Sequence, residues 1–393
     1  MQDLLWLLLP VAAASGWWWA RHSPNTFTIR RHSNHADYFK GLNYLLDDKP
    51  DQAIEVFMRV AEMERDTVEA HLTLGNLFRR RGEVDRAIHI HYNLTQRQNL
   101  PTVQRQRATL ELAEDYMKAG LFDRAEALYH NIIRQSEQTE HTARALQRLI
   151  QLYEQEKDWE QAIKHCDRLE QMTGQVRKIA SAHYCCELAE SVLAEGDIAT
   201  ASEHLRAALK RDSNCARANL LLGHIAIEQN DYPAALQALH AVPQQKPDFL
   251  TEMLKPLEQC YQAQNQINLL IDYLMELHER QRSGRLTAMI ADLITQHRGP
   301  DFALQFLEQA LQQEPSFMGL RRLVELKLDR DDGTEHADLQ ALYLTSRDML
   351  DNAARYRCEQ CGFTVRTLHW HCPSCKQWDS VKPLPDLVCR DSA

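Results

Sequence analysis

Between residues 35 and 330 one pattern returns again and again, with large apolar residues three and four apart in pairs of segments joined by short polar turns. The spacing predicts antiparallel helical hairpins with a period of about 34 residues. The clearest copy runs Leu74, Gly75 and Phe78, a turn at Gly82, then Ala87, His91 and Leu94. Small residues at fixed offsets let the two helices of a hairpin approach, and large neighbours fill the space between them. The frame recurs at Leu112, Ala113, Tyr116, Gly120, Ala125 and Tyr129, and again at Leu149, Ile150, Tyr153, Ala162 and Cys166. It continues at Leu188, Ala189, Val192, Gly196, Ala201 and Leu205, then at Leu222, Gly223, Ala226, Ala235, Leu239 and Pro247. The first copy reads Gly41, Tyr44, Ala53 and Phe57, and a late one Ile290, Ala291, Ile294, Ala303, Leu307 and Pro315. One unit departs from the frame: in Leu257, Glu258, Tyr261, Leu270 and Leu274 the position that should be small holds Glu258, which puts the packing of that pair in question. Wider spacing between Ala87 and Ala201 predicts longer helices or turns there. Beyond a break at residues 329–333, the segment 338–354 carries an apolar stripe of Leu339, Leu342, Tyr343 and Leu350. That stripe could seat the C-terminal part of the chain against the end of the array.

Ahead of the repeats, Leu4 to Ala20 carries no charge, at the short end of what spans a bilayer as a helix. No Lys or Arg precedes it, as a cleaved signal would require. Arg21, Arg30, Arg31 and Lys40 follow it instead, which places the rest of the chain on the cytoplasmic side. Trp17, Trp18 and Trp19 suit the headgroup level. An export signal carrying the chain outward is the alternative, and free helical cysteines argue against it.

With 44% hydrophobic and 25% charged residues the chain reads as folded. A formal net charge of −10 argues against a general nucleic-acid binder and toward protein partners. No metalloprotease, nucleophile-elbow or phosphate-loop motif is found, so no catalytic residue is assigned. His32, His35, His89 and His91 read as solvated or packed residues, and Arg79-Arg80-Arg81 before Gly82 as a solvated helix end.

The chemistry is concentrated near the C-terminus. Cys358-Glu-Gln-Cys361-Gly362-Phe363 and His371-Cys372-Pro-Ser-Cys375 are two knuckles on facing arms. A two-residue step lets both sulfurs of a turn meet one ion, and two such turns complete a tetrahedral thiolate shell. Cys358, Cys361, Cys372 and Cys375 are therefore the metal ligands expected, and His369 and His371 are not needed. Lys376 stands where a second glycine would be expected. Cys166, Cys185, Cys186, Cys215 and Cys260 lie in helical sequence and read as buried small hydrophobes. About thirty residues bury too little apolar surface to fold alone, so the ion acts first as a structural clip. Phe363, Trp370 and Trp378 are available to cover one side of the ion and pack on the array.

Together these parts predict an all-α protein with a small C-terminal module. Its segments are a transmembrane anchor (1–20), a juxtamembrane linker (21–34), a repeat array (35–330), a connecting helix (331–354), the metal module (355–384) and a tail (385–393). The array resembles tetratricopeptide repeats, and the knuckles resemble a rubredoxin-like module. The combination, with Leu7-Leu8-Leu9-Pro10-Val11-Ala12 in the anchor and Tyr356-Arg-Cys with Trp370-His-Cys in the module, resembles the lipopolysaccharide assembly protein B family over essentially the full length. That resemblance implies an inner-membrane adaptor facing the cytoplasm that helps the protease FtsH degrade the deacetylase LpxC. It also implies contact with inner-membrane proteins that sense lipopolysaccharide and assemble it. For the metal it favours iron, while thiolate chemistry alone accepts zinc equally. A general membrane-tethered scaffold of envelope biogenesis and a rubredoxin-like redox carrier are the rival functions. Whether the array is a monomer or self-associates as a homodimer stays open.

Overall fold

The computed structural model describes residues 18, 39–47, 49–63, 68–135, 140–174, 177–330 and 337–384. The expected anchor, apart from Trp18, lies outside the described residues, as do the juxtamembrane linker, His32, His35, residues 331–336 and the tail from 385. Among the described residues no helix is long and apolar enough to cross a membrane. The chain divides into two units, residues 1–155 and 156–393.

In the first unit, helix α1 covers residues 39–46. It is followed by α2 (Pro50–Met63), α3 (Val68–Arg81), α4 (Val84–Thr95), α5 (Thr102–Ala119), α6 (Phe122–Gln135) and α7 (Glu140–Glu156), which ends at the unit boundary. Small residues mark the closest helix contacts, as their offsets predict. A Cβ on Gly75 would lie 2.3 Å from Nε2 of His91, so α3 and α4 can pack at this distance only around a glycine. Ala53, Phe57, Leu74, Phe78 and Ala87 form the core beside it. The wider spacing resolves into longer helices: α5 has 18 residues and α7 has 17, against 14 in α3.

Arg79 corrects the reading of the arginine run. Arg80 and Arg81 are exposed, but Arg79 turns inward to α5. Its guanidinium donates to Asp115 Oδ1 at 2.7 Å, Glu111 Oε2 at 2.6 Å and the Glu111 carbonyl at 3.0 Å. Asp115 is fully buried, and its other oxygen accepts from His91 Nδ1 at 2.5 Å. Arg144 and Arg148 of α7 approach Glu114 at 3.4 and 3.0 Å. Successive residues on a helix point about 100° apart, so a run of three arginines cannot share one solvated face. One of them meets the two acids spaced i, i+4 on α5, two helices further along the chain. His91 is thus packed, while His89 stays exposed.

The second unit continues with α8 (Trp159–Thr173), α9 (Lys178–Ala194), α10 (Ile198–Arg211), α11 (Ala216–Glu228), α12 (Tyr232–Gln245), a 3-10 turn (Pro247–Phe249), α13 (Leu250–Ala263), α14 (Ile267–Arg280), α15 (Gly284–Arg298), α16 (Pro300–Gln313), α17 (Phe317–Arg330) and α18 (Ala337–Asn352). The starts of α8, α10 and α12 share one device. Asp158, Asp197 and Asp231 each accept a hydrogen bond from the backbone N–H three residues on, satisfying a free helix-end donor. The irregular pair α13–α14 packs in spite of Glu258: Leu257, Leu270 and Leu274 are fully buried in the main core, and Glu258 is half-buried. The five cysteines expected in helices are all buried, four of them in helices and Cys215 just before α11, where its sulfur comes to 3.8 Å from that of Cys186.

The chain then forms a three-stranded antiparallel sheet of β1 (Tyr356–Cys358), β2 (Thr364–Val365) and β3 (Val381–Pro383), in the order β2-β1-β3. Tyr356 pairs with Val365 on one side and Pro383 on the other. The expectation that the stripe of α18 seats this module on the end of the array is not met. Leu342 is 49% exposed, Tyr343 reaches back to Glu325 of α17, and the side chain of Leu350 lies outside the described residues. The module instead folds back onto residues far earlier in the chain, from Glu252, 104 positions before Tyr356, back to Trp159.

Candidate metal centre

Each knuckle is a tight turn closed by its own backbone. Gly362 N–H donates to Cys358 C=O at 2.9 Å, and Lys376 N–H donates to Cys372 C=O at 2.9 Å. Gly362 has φ +75° and Lys376 φ +58°. The lysine therefore accepts the left-handed conformation that glycine takes in the first knuckle, and the second turn closes in the same way. Antiparallel pairing of β1 with β2 and β3, and the bridge between His371 and Trp378, hold the two turns face to face.

The four sulfurs of Cys358, Cys361, Cys372 and Cys375 lie within 4.8 Å of one another. Across the knuckles, Cys358 and Cys375 are 3.7 Å apart and Cys361 and Cys372 are 3.8 Å apart. A metal–sulfur bond of about 2.3 Å gives a tetrahedron with edges of about 3.8 Å. The sulfurs are thus spaced for one tetrahedral ion. Neither histidine joins them: His369 meets Thr367, and His371 donates from Nε2 to the Lys376 carbonyl at 2.9 Å.

The surroundings favour thiolate unequally. Burial raises the Cys358 thiol, but the Ser380 hydroxyl, 3.3 Å from its sulfur, and the amides of Cys361 and Gln360 outweigh it and bring the pKa down to about 6. Burial and the neighbouring sulfurs push Cys375 up to about 12. Four thiolates in one shell repel each other, and a divalent cation at their centre supplies the charge that allows all four to ionise. The donor set suits zinc or iron.

The module's second knuckle inserts into the array. Trp378 is edge-on to Trp159 of α8 at 5.9 Å and to Tyr184 of α9 at 5.7 Å, and stacks on His183 at 5.3 Å and His371 at 4.3 Å. Trp370 packs against Phe249 at 4.7 Å. Lys246, at the end of α12, pairs with Asp379, which also receives Lys382. Tyr356 donates its hydroxyl to Glu252 of α13 at 2.7 Å. Burial, followed by this hydrogen bond, raises the Tyr356 pKa to about 12. Phe363, expected in the same contact, remains 38% exposed. Sequence reasoning picked out the two tryptophans but missed the array half of the seat. Trp159, His183, Tyr184 and Phe249 follow the apolar spacing of the repeats and look like ordinary core.

Comparison with known proteins matches the same parts. The rubredoxin metal binding domain family matches residues 356–383. Tetratricopeptide repeat families match residues 40–101, 110–175 and 192–255. Lipopolysaccharide assembly protein B of Escherichia coli (strain K12) is 35% identical over 390 residues, covering 98% of this chain and 99% of that protein. The protein of the same name from Haemophilus influenzae is 34% identical, covering 98% of each. A solved tetratricopeptide repeat protein from Parabacteroides merdae aligns over 80% of this chain and 99% of its own, with 10% identity and a TM-score of 0.33.

Proposed function

Because this chain belongs to the lipopolysaccharide assembly protein B family, we propose that it is a non-enzymatic adaptor at the inner membrane, which limits lipopolysaccharide synthesis by promoting degradation of LpxC by FtsH. The observation that carries this reading is likeness along the whole chain, module and repeats together, to relatives named for lipopolysaccharide assembly. The architecture is in keeping with it. Stacked helical hairpins offer extended surfaces for protein partners, and a four-sulfur centre spaced for one ion contributes folding free energy to a module too small to stand alone.

The mechanism is tethering. Leu4 to Ala20 is the proposed single-pass anchor, with the repeats on the cytoplasmic side. Held in one membrane, adaptor and protease share a thin layer, and a substrate bound to the repeats meets the protease at raised effective concentration. Modest affinity for LpxC then suffices. An iron or zinc ion bound there would offset part of the charge of the four thiolates and crosslink the knuckles. Cys358, Cys361, Cys372 and Cys375 would hold it, with Ser380 beside the sulfur of Cys358.

The test is the half-life of LpxC in the native host after depletion of this protein. A markedly longer half-life is expected. An unchanged half-life would reject the proteolytic role and leave a membrane-tethered scaffold for lipopolysaccharide assembly, whose partners crosslinking would identify.

A further inference from the structure

The residues that close the second knuckle are also the residues that enter the array. Cys372 N–H donates to the Gln377 carbonyl at 3.0 Å, and Asp379 N–H donates to the Trp370 carbonyl at 2.7 Å. Ser380 reaches the sulfur of Cys358 at 3.3 Å. Between these anchor points the short loop carries Trp378 to Trp159, Tyr184 and His183, and Asp379 to Lys246. The shape of this loop is set at one end by the cysteine turns and used at the other by helices α8, α9 and the end of α12.

We propose that the metal centre is a latch, in which ion binding at the four cysteines and seating of the module on the middle of the array form one linked equilibrium. The inference rests on the sulfur geometry and on the seat, not on the lipopolysaccharide role, so either can fail without the other. A module of this size has no folded state to keep Trp378 and Asp379 in place once its crosslink is gone. Without them Phe249 and Tyr184, now fully buried, face water, and Lys246 loses its carboxylate. Coupling of this kind is reciprocal. If the ion orders α9 and α13, then Lys246 and Glu252 on the array help to retain the ion, although both belong to repeats remote in sequence from the knuckles.

Two measurements on the full chain test the latch. Hydrogen exchange by mass spectrometry compares zinc-loaded protein with protein stripped by a chelator. Amides of α9, the Pro247–Phe249 turn and α13 should exchange at least about tenfold faster after stripping, while those of α3 to α6 serve as the unchanged reference. In the second, zinc transfer to a pyridylazo-resorcinol dye is timed for the wild type and for a Lys246→Met, Glu252→Gln double variant. The variant should bind the same amount of zinc and release it about tenfold faster. Identical exchange in α9 and α13 with and without zinc would overturn the proposal, and so would equal release rates. The exchange comparison needs no substitution, so it stands even if the double variant does not fold.

Discussion

Replacing Arg79 with alanine should open the first unit far more easily than replacing its neighbour Arg80, although the two side by side read as equivalent. Arg79 bonds both Asp115, whose side chain is 0% exposed, and Glu111, whose side chain is 7% exposed. Removing one partner from a buried ion pair costs about 3–5 kcal/mol, because the remaining charge stays desolvated. Two features hold the cost toward the lower end. His91 still donates to Asp115, and Arg144 still stands 3.8 Å from Glu111. The expected loss is therefore about 3 kcal/mol. Arg79→Lys keeps the charge but loses the planar fork that serves both acids, and should cost about 1–2 kcal/mol. Arg80 is exposed in the last turn of α3, where only a weak helix-dipole contribution is lost, within about 0.5 kcal/mol. A stacked-repeat chain need not unfold in one step, so a single melting temperature is a poor readout. Native-state hydrogen exchange of amides in α3, α4 and α5 reports the local opening free energy directly. If Arg79→Ala and Arg80→Ala agree within about 0.5 kcal/mol, the buried network contributes nothing and the reading of it is wrong.

Three further outcomes are expected. Gly223→Ala places a methyl 2.8 Å from Leu239 Cδ2 and Gly75→Ala places one 2.3 Å from a His91 ring held by Asp115; overpacking costs about 1–3 kcal/mol, and exchange in α3 and α4 should show the larger loss for Gly75, the neighbour with less room to move. Purified protein should contain one metal ion per chain by elemental analysis, and Cys372→Ser should abolish it; retention of a full equivalent would remove Cys372 from the ligand set. His183 is held well below its ordinary pKa by burial and then by Arg217, Lys246, Lys382 and His371. Its folded pKa is depressed below an unfolded value of about 6.5, so the seat is fully stable above that pH and loses stability as pH falls below it. Acid also protonates thiolates and releases metal, so the observable is the difference between wild type and His183→Phe, whose opening free energy in α9 should fall less between pH 7 and 5.5. Parallel slopes would exclude His183 as a contributor.

What could be read in the chain, and what could not, follows from the range of the physical constraint. A knuckle is a local object: two sulfurs reach one ion only at a short step, so Cys358 and Cys361, or Cys372 and Cys375, announce themselves in a few letters. Gly75 and Gly223 are also legible, because a small residue at the closest approach of a helical hairpin recurs at a fixed offset in most copies. Arg79 was hidden by its neighbours, since composition shows three basic residues while helical rotation sends one of them to acids 32 and 36 positions away. The seat of the module was hidden more deeply. Its small apolar content implied that it must borrow a surface, and Trp370 and Trp378 were the evident means. Where it borrows is decided by Asp379 with Lys246, 133 positions apart, and by Tyr356 with Glu252, 104 apart. A buried carboxylate seeks its lysine only once the repeats have stacked and brought α12 and α13 within reach. On the nearest apolar stripe, that of α18, Leu342 is exposed and Tyr343 turns to Glu325, and neither Asp379 nor Tyr356 takes the partner shown for it from that helix. Burying those groups unpaired would cost more than the extra apolar contact returns. Lys246 and Glu252 supply those partners, and the aromatic contacts of Trp378 and Trp370 lie beside them at the same seat.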